Sequence, residues 1–407
     1  MQSVKVFPKI RKTNVNKHQM THLRIRNIGP LKDTGYIPIT NIMLIIGEQS
    51  VGKSTFMKVL SFCRWIEKKV MLQKFDDIIV KGGFIKQLKE FHKLSDEYFK
   101  NGEPYVEYTS DVVSIIHKGL NTKTKISKIE NSKRHNTKIT YIPAERNLLS
   151  VIPNLDNKYK VSSYDSMFNC AMEFSEANTV FTKKNPLKLA FAEDMEYYHD
   201  GFNDYVKLQK TNTALLLEHT SSGIQSTVPV SVLVHYLCYI TGMPSRRTPR
   251  MVQSDRDLDF SSENQSNRLN YYNYPQLFIE EPEQHLYPTS QARLLRDIIS
   301  QFSVALDKTG YPGYVVMTSH SPYILTQLNV LLKARKAFGK NRKETLKIIS
   351  EDCILPLKYY SAYFVTQNGQ MENMMDGKTG LIKGEYLDAI SDTTEDELNR
   401  LNDIIYG

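Results

Sequence analysis

The first residues with a recognisable chemistry are Gly47-Glu48-Gln49-Ser50-Val51-Gly52-Lys53-Ser54-Thr55, which follow the pattern G-x-x-x-x-G-K-S. In such a loop the glycines let successive backbone N–H groups turn toward phosphate oxygens, and the next helix presents its N-terminus to the same anion. Lys53 is expected to reach the β- and γ-phosphates, and the Ser54 hydroxyl to bind Mg²⁺. The sequence therefore predicts a nucleoside triphosphate site, with ATP and Mg²⁺ as ligands.

A pair of adjacent acids forms the second candidate group. Glu280 and Glu281 end the apolar run 276–279 and stand immediately before Pro282. In P-loop enzymes one carboxylate at a strand end holds the Mg²⁺ shell, and a neighbouring carboxylate orients the attacking water. Glu280 is predicted to serve the metal through water, since a glutamate stands where an aspartate is usual. Glu281 is predicted to act as the general base.

A histidine ends a further apolar run. His320 follows residues 314–318 and precedes Ser321-Pro322. At a strand end, an imidazole can hydrogen-bond both the γ-phosphate and the attacking water. We therefore predict that His320 is catalytic and senses whether the triphosphate is intact.

Between the P-loop and the acids lies a serine-glycine segment, residues 220–226, followed by an apolar helical pattern at 228–240. Ser222 and Gly223 at a helix start offer a hydroxyl, free N–H groups and the helix dipole to an anion. The candidate anion-binding residues of this segment are Ser221, Ser222, Gly223 and Gln225.

Glu145 and Arg146 form a candidate sensor loop after a short predicted strand at 138–142. Either side chain can contact Mg²⁺, water or phosphate, or can form a structural salt bridge. The planar fork of an arginine suits phosphate, and the sequence leaves both alternatives open.

The elements that must position these residues follow from the apolar periodicity. Residues 42–46 predict a strand buried on both faces, and the alternating residues 23–30, paired with 36–40, predict an antiparallel layer before it. Helices are predicted from residue 60 to 136, with 84–100 amphipathic, and at 187–208 and 394–405. Residues 244–275 predict a mobile polar insertion, and 359–366 with 370–374 predict a hairpin.

Composition excludes several classes of protein. The chain has 407 residues and a net charge of +9, and its hydrophobic fraction is 41%. No apolar run is long enough for a membrane span, residues 1–20 show no secretory signal, and the four cysteines have no metal-ligand spacing. These features predict a cytoplasmic protein that does not enter a membrane. The basic stretches 5–17, 117–138 and 246–256 are interpreted as solvated surface, with DNA binding permitted.

The order of these motifs resembles that of ABC-type ATPases, in which the signature of one subunit closes over the nucleotide of another. Ile224 stands where a second signature glycine is common, which disfavours a transporter. The segments YIPAER, SSGIQS, IEEPEQHLYP and TSHSPYIL are similar to the soluble ABC-type ATPases of the OLD, RecF and SMC-like group. Within that group they resemble the compact OLD-like ATPases of bacterial anti-phage systems of the PARIS type, or less closely the Septu type.

The resemblance implies an α/β fold of the ABC-type P-loop class. It further implies a mixed central sheet, an antiparallel β-layer near the N-terminus, and a helical lobe inserted before the signature. The expected division is a basic tail (1–20), a first ATPase lobe (21–146), the helical lobe (147–219), the signature helix (220–243), the insertion (244–275) and a second ATPase lobe (276–407).

As to function, the resemblance implies the sensor or regulatory subunit of an anti-phage complex that holds or activates a separate nuclease or toxin. The expected partners are further copies of the chain, with the signature acting in trans, a neighbour-encoded effector, and a phage protein as trigger. The segment after His320 lacks the acidic motifs of the OLD nuclease domain, and no heptad repeat predicts a long coiled-coil arm. The alternative is a RecF-like repair ATPase that binds DNA directly. A transporter ATPase or a small-molecule kinase fits less well.

Overall fold

The computed structural model describes residues 21–71, 76–129, 136–152, 155, 165–243, 272–310, 313–383 and 385. Within them the strands are β1 (His22–Ile28), β2 (Leu31–Asp33), β3 (Ile37–Pro38), β4 (Ile42–Ile46), β5 (Tyr105–Thr109), β6 (Val113–Lys118), β7 (Lys125–Lys128), β8 (Thr137–Ile142), β9 (Leu187–Lys188), β10 (Met195–His199), β11 (Asp204–Leu208), β12 (Thr213–Leu216), β13 (Tyr274–Glu280), β14 (Tyr314–Ser319), β15 (Tyr360–Val365) and β16 (Met371–Asn373). The helices are α1 (Lys53–Met71), α2 (Asp76–Ile79), α3 (Gly83–His92), α4 (Leu148–Val151), α5 (Ser166–Asn178), α6 (Ser222–Ile240), α7 (Pro288–Thr309), α8 (Pro322–Lys340) and α9 (Arg342–Thr345).

A six-stranded central sheet carries the predicted site. Its order is β16-β15-β4-β14-β13-β8, with parallel pairing from β15 to β8 and β16 antiparallel at one edge. The α/β architecture with a mixed central sheet is thereby confirmed. Because β4, β14 and β13 run parallel and in register, their carboxyl ends meet at one edge of the sheet. Ile46 lies opposite Ser319, and Thr318 lies opposite Glu280.

The sheet is covered on both faces. Along β4, Ile42 and Leu44 enter a core shared with α5–α8, whereas Met43 and Ile45 enter a second core shared with α1 and α3. Side chains of a strand alternate between the two faces of its sheet, so an unbroken apolar run is what a doubly covered strand requires. The burial of β4 predicted from its sequence is confirmed.

The antiparallel sheet at the N-terminus has the order β2-β1-β5-β6-β7, with β3 also pairing with β1. The β-layer expected before the P-loop strand is confirmed. The helical interpretation of residues 60–136 is wrong beyond α3 and the short turn Asp96–Phe99, because β5, β6 and β7 follow. Val106, Tyr108 and Ile115 face the second core. Apolar residues at every second position are typical of a strand, and the charged residues between them conceal this pattern in the sequence.

Two ends of the stretch 117–138 are also buried, although it was interpreted as solvated surface. His117 is a residue of β6 and has no exposed surface, and Lys138 is buried on β8, where its Nζ pairs with Glu173 Oε1 at 3.2 Å. Residues 130–135, in the middle of the stretch, lie outside the described residues.

The lobe before the signature is not helical as expected. Residues 187–208, predicted as its best helix, form β9, β10 and β11, and with β12 they make a four-stranded antiparallel sheet. Tyr197 and Val206 are paired across β10 and β11 and fully buried. Asp200 Oδ1 accepts the N–H groups of Phe202 and Asn203, closing the turn between the strands. This Asp-Gly turn was the signal that the helical interpretation missed. Among the described residues of this lobe, α4 and α5 are helices as expected.

The remaining predictions concern the C-terminal hairpin, the polar insertion and the two ends of the sequence. The hairpin predicted at 359–374 is confirmed as β15 and β16. The insertion predicted at 244–275 is wrong at its end, since Tyr274 and Pro275 open β13, while 244–271 lie outside the described residues. The tail 1–20, the basic stretches 5–17 and 246–256, and the helix 394–405 also lie outside them. The division into lobes stays a prediction.

Candidate nucleotide-binding site

The P-loop connects β4 to α1 at the carboxyl edge of the central sheet. Gly52 has φ +113°, which L side chains rarely adopt, and a Cβ at this position would lie 2.7 Å from Leu31 Cδ2, so a larger residue would also have to displace the Leu31 side chain. Lys53 begins α1, and its Nζ donates to the carbonyls of Gly47 at 2.9 Å and Glu48 at 2.5 Å. Burial lowers the pKa of Lys53, and the nearby carboxylates of the acidic strand act in the opposite direction. The ammonium therefore lies against the loop itself.

The remaining residues of the loop differ in exposure. Glu48, Gln49 and Ser50 are exposed, Ser54 is half-buried, and Val51 and Thr55 are buried. Glu48 Oε2 also accepts a hydrogen bond from Gln367 Nε2 at 2.9 Å, which connects the loop to the turn between β15 and β16. The first turn of α1 contains no acidic residue, so its N-terminal dipole faces the loop without a competing carboxylate of that turn.

The two acids after β13 have different environments. Glu280 is buried, accepts a hydrogen bond from the Tyr141 hydroxyl, and lies 4.0 Å from Lys58 Nζ. Burial raises the pKa of the Glu280 carboxyl, whereas Lys58 and the Tyr141 hydrogen bond lower it. Glu281 is about one-third exposed, with φ +41°, and its N–H donates to the carbonyl of Thr318 at 3.1 Å. Only Glu281 of the two presents its carboxylate to solvent.

His320 joins the P-loop lysine to Glu281. Its Nδ1 lies 3.3 Å from Lys53 Nζ, and its Nε2 lies 2.8 Å from Glu281 Oε1. An ammonium can only donate, so Nδ1 facing Lys53 is assigned as the acceptor and Nε2 as the nitrogen that carries the proton. His320 then donates to Glu281. The structure thus brings together Lys53, Glu281 and His320, which the sequence placed after three different strands.

The two residues of the candidate sensor loop, Glu145 and Arg146, have different environments. Arg146 is fully buried, and it donates to the carbonyls of Ser226 at 2.8 Å, Pro143 at 3.2 Å, Glu280 at 2.6 Å and Glu281 at 2.7 Å. Burial lowers the pKa of Arg146 to about 10. The guanidinium thus contacts backbone carbonyls, and the phosphate contact and the salt bridge that the sequence allowed for Arg146 stay predictions. Glu145 is exposed.

The signature segment begins α6. Ser221 is the N-cap residue, and both Ser221 and Ser222 are exposed. Gly223 packs against the chain after the acids, where a Cβ would lie 2.7 Å from the carbonyl oxygen of His285. Gln225 Nε2 donates to the carbonyls of Glu218 and Thr220, both at 2.9 Å, so its amide group braces the preceding turn.

Two residues that sequence reasoning left without a role lie against this site. Tyr141 is the penultimate residue of β8 and donates to Glu280. Glu283 Oε1 accepts hydrogen bonds from Ser319 Oγ at 2.6 Å and from the N–H of His320 at 3.1 Å. The third glutamate of the sequence Glu-Glu-Pro-Glu was the available signal for Glu283. Nothing local distinguished Tyr141 from an ordinary core tyrosine.

Ser54 and Glu280 are the oxygen donors that suit Mg²⁺ at this edge. Mg²⁺ usually completes its shell with water and substrate phosphates rather than with protein groups alone. No group of three or more His, Cys, Asp or Glu side chains among the described residues could hold a metal ion. A magnesium ion here would therefore need the phosphates of the nucleotide.

One helix among the described residues is long and apolar enough to cross a membrane by length and composition. This is α6, and 61% of its most apolar window is buried within the protein. Val230, Leu233 and Leu237 are fully buried in the first core. Its hydrophobicity is accounted for by packing.

Comparison with known proteins gave distant structural neighbours. No family model matches the chain, and no curated protein matches it. The SMC head domain from Thermotoga maritima has a TM-score of 0.38 and 10% identity over 87% of this chain and 98% of that chain. A SmcHead bound to the C-winged helix domain of ScpA has a TM-score of 0.44 and 10% identity, covering 86% and 95%. An Smc head domain with an extended coiled coil, bound to the C-terminal domain of ScpA and derived from Pyrococcus furiosus, has a TM-score of 0.40 and 9% identity, covering 92% and 100%.

At TM-scores this low, the neighbours carry no argument about activity. None of them bears on an anti-phage assignment. The chain's own residues show a contact of His320 with both Lys53 and Glu281 at the carboxyl edge of the sheet.

Proposed function

We propose that this protein is an ATPase that binds ATP with Mg²⁺ and hydrolyses it to ADP and phosphate. The observation that carries the proposal is the path from Lys53 through His320 to Glu281 at the carboxyl edge of one parallel sheet. Lys53 would bind the β- and γ-phosphates in exchange for its loop carbonyls. Ser54 and Glu280 would hold Mg²⁺, which neutralises phosphate charge when bound.

Glu281 would act as the general base. Its partly exposed carboxylate would accept a proton from the attacking water as the water oxygen bonds to the γ-phosphorus and the bond from the γ-phosphorus to the β–γ bridging oxygen breaks. His320 donates to that carboxylate through Nε2. In the proposed complex its imidazole would also contact the γ-phosphate beside Glu281. Ser221, Ser222, Gly223 and Gln225 would complete the site of a second copy of the chain, which makes a homo-oligomer part of the proposal.

The biological role proposed is that of a cytoplasmic sensor or regulatory subunit in an anti-phage complex. ATP binding and slow hydrolysis would switch the conformation of the subunit and so hold or release a neighbour-encoded nuclease or toxin. The support for this role is the similarity of the quoted motifs to OLD-like defence ATPases, and a phage protein is the proposed trigger.

A second candidate function is DNA maintenance, favoured by one observation. Lys123, Lys125 and Lys128 are exposed on and beside β7, the edge strand of the N-terminal sheet. Lysines on an edge strand also protect it from pairing with other chains. DNA affinity that falls steeply with salt, and that falls further when these lysines are replaced, would favour this function.

Hydrolysis is tested with two substitutions at the site and one control. Glu281→Gln should reduce turnover by at least about a thousandfold while ATP still binds, since one transition-state contact is worth several kcal/mol. Lys53→Ala should lose nucleotide affinity. Glu344→Gln, at an exposed glutamate on α9, should leave both unchanged. Undiminished turnover by Glu281→Gln would refute the assignment of the base.

The partner is tested by affinity purification of the Glu281→Gln variant expressed from its native gene neighbourhood with ATP and Mg²⁺. A stoichiometric neighbour-encoded protein supports the defence role and identifies the effector. Nucleic acid alone, released by salt, supports the DNA-maintenance function instead. A homo-oligomer without either would leave the ATPase proposal intact and contradict both roles.

A further inference from the structure

Glu283 is a buried carboxylate with an incomplete set of partners. The residue is 7% exposed, and its Oε2 has no hydrogen-bond partner among the described residues. A buried carboxyl group is costly unless its bonding is satisfied, so each such group requires an explanation. An apolar residue of similar size would avoid this cost. The reason for a glutamate at this position must therefore lie in what Oε1 holds.

Oε1 of Glu283 holds the chain that carries His320. It accepts from Ser319 Oγ at 2.6 Å and from the backbone N–H of His320 at 3.1 Å. Ser319 Oγ in turn accepts the N–H of Ser321 at 2.9 Å. One carboxylate oxygen therefore fixes the backbone of the turn between β14 and α8.

The contacts close a ring between two loops. His320 is held at its backbone by Glu283 and at its imidazole by Glu281, and these two acids are separated by Pro282 alone. The proline ring restricts the backbone between them. With both ends of His320 bound to the same short segment, the imidazole has little freedom to leave the carboxylate of Glu281.

We infer that Glu283 is a positioning residue for the hydrolysis reaction, which holds His320 so that its imidazole bridges Lys53 and Glu281. This inference rests on the proposed ATPase function. Glu283 is buried, and its described hydrogen bonds go to Ser319 and His320 rather than to Lys53, so it acts through His320. Its loss should displace the imidazole without removing any group that binds nucleotide.

The kinetic test compares Glu283→Ala with Glu283→Gln. Displacement of a catalytic group by about 1 Å can reduce the rate roughly a hundredfold, so the alanine variant should lose about 10- to 100-fold in kcat. Its KM for ATP should stay within about twofold, since binding is supplied by the P-loop. The glutamine variant keeps an oxygen acceptor and should restore kcat to within about threefold of the unsubstituted protein. Glu344→Ala serves as the matched control on α9.

A double-mutant cycle with Ser319→Ala isolates the contact. The combined variant should lose less kcat than the product of the two single losses, because both substitutions remove the same hydrogen bond. An alanine variant with unchanged kcat, a glutamine variant as slow as alanine, or independent effects of Glu283 and Ser319 would each overturn the inference.

A spectroscopic measurement separates this inference from the proposed function. The ring nitrogen resonances of His320, assigned by comparison with His320→Gln, should shift in Glu283→Ala and return in Glu283→Gln. If the two Glu283 variants show this pattern but the unsubstituted protein hydrolyses no ATP, the proposed function fails and the positioning role stands. Unchanged His320 resonances in Glu283→Ala, with ATP hydrolysis present, overturn the positioning role alone.

Discussion

Arg146→Ala tests how the turn after β13 is held in place. The guanidinium donates to four carbonyls, those of Pro143, Ser226, Glu280 and Glu281, inside the core. A hydrogen bond to a charged group contributes about 1.5–3 kcal/mol, although the members of one network are not additive. Removing the guanidinium leaves several buried carbonyls without this donor. At about 1–3 kcal/mol for each unsatisfied acceptor, the substitution should lower the free energy of unfolding by about 3–5 kcal/mol.

That cost converts into a measurable shift in Tm. With an unfolding entropy of about 2.1 cal/mol/K per residue, 1 kcal/mol lowers the Tm of a chain of 407 residues by about 1.2 °C. Calorimetry of Arg146→Ala should therefore give a Tm about 4–6 °C lower. Arg342→Ala, which removes a surface pair with Glu351 at 2.8 Å, should shift it by about 1 °C or less. A shift as small as that of the control would refute the reasoning for Arg146.

ATP affinity separates this role from the phosphate contact that the sequence also allowed. None of the described contacts of Lys53 involves Arg146. Arg146→Lys, which keeps the charge but loses the planar fork, should therefore lower Tm while leaving ATP affinity within about threefold. A large loss of ATP affinity at unchanged Tm would support the phosphate contact instead.

Three further substitutions test other parts of the structure. Gly223→Ala places a Cβ 2.7 Å from the His285 carbonyl and should lower Tm in calorimetry by about 1–4 °C, since overpacking costs about 1–3 kcal/mol. Tyr141→Phe removes the hydroxyl that donates to Glu280 and should lower Tm in calorimetry by about 1–4 °C. Burial lowers the pKa of His117 to about 4 from 6.5, so only the unfolded chain gains a proton between these values. Stability should fall by about 3 kcal/mol as the pH drops through this window, and urea unfolding of His117→Gln should lack that slope.

The elements around the P-loop could be predicted from the sequence because their signals are local. The unbroken apolar run of β4, the loop after it and the helical pattern of α1 occupy one continuous stretch of chain. The ends of β13 and β14 could be predicted for the same reason. Parallel strands put their carboxyl ends at one edge, so placing Lys53, Glu281 and His320 near one another needed no knowledge of the rest of the fold.

The sequence could not predict contacts made far along the chain. Arg146 bonds a carbonyl 80 residues away on α6 and another 134 residues away at the end of β13. An arginine beside a predicted phosphate site has the same local sequence whether it faces an anion or buried carbonyls. In the lobe before the signature, charged and aromatic residues of β10 and β11 fit a helical face as well as alternate positions of a strand. The two segments form strands because they pair with each other, with Tyr197 opposite Val206.

The backbone at Glu281 explains why several distant groups converge on this turn. A non-glycine residue at φ +41° costs about 1–3 kcal/mol and persists only where its surroundings impose it. Here the N–H of Glu281 bonds the Thr318 carbonyl, its own carbonyl accepts from Arg146, and its carboxylate accepts from His320. These partners come from β14, from the turn after β8 and from the turn before α8. The motif therefore identifies the residue, whereas the fold determines the direction in which its carboxylate points.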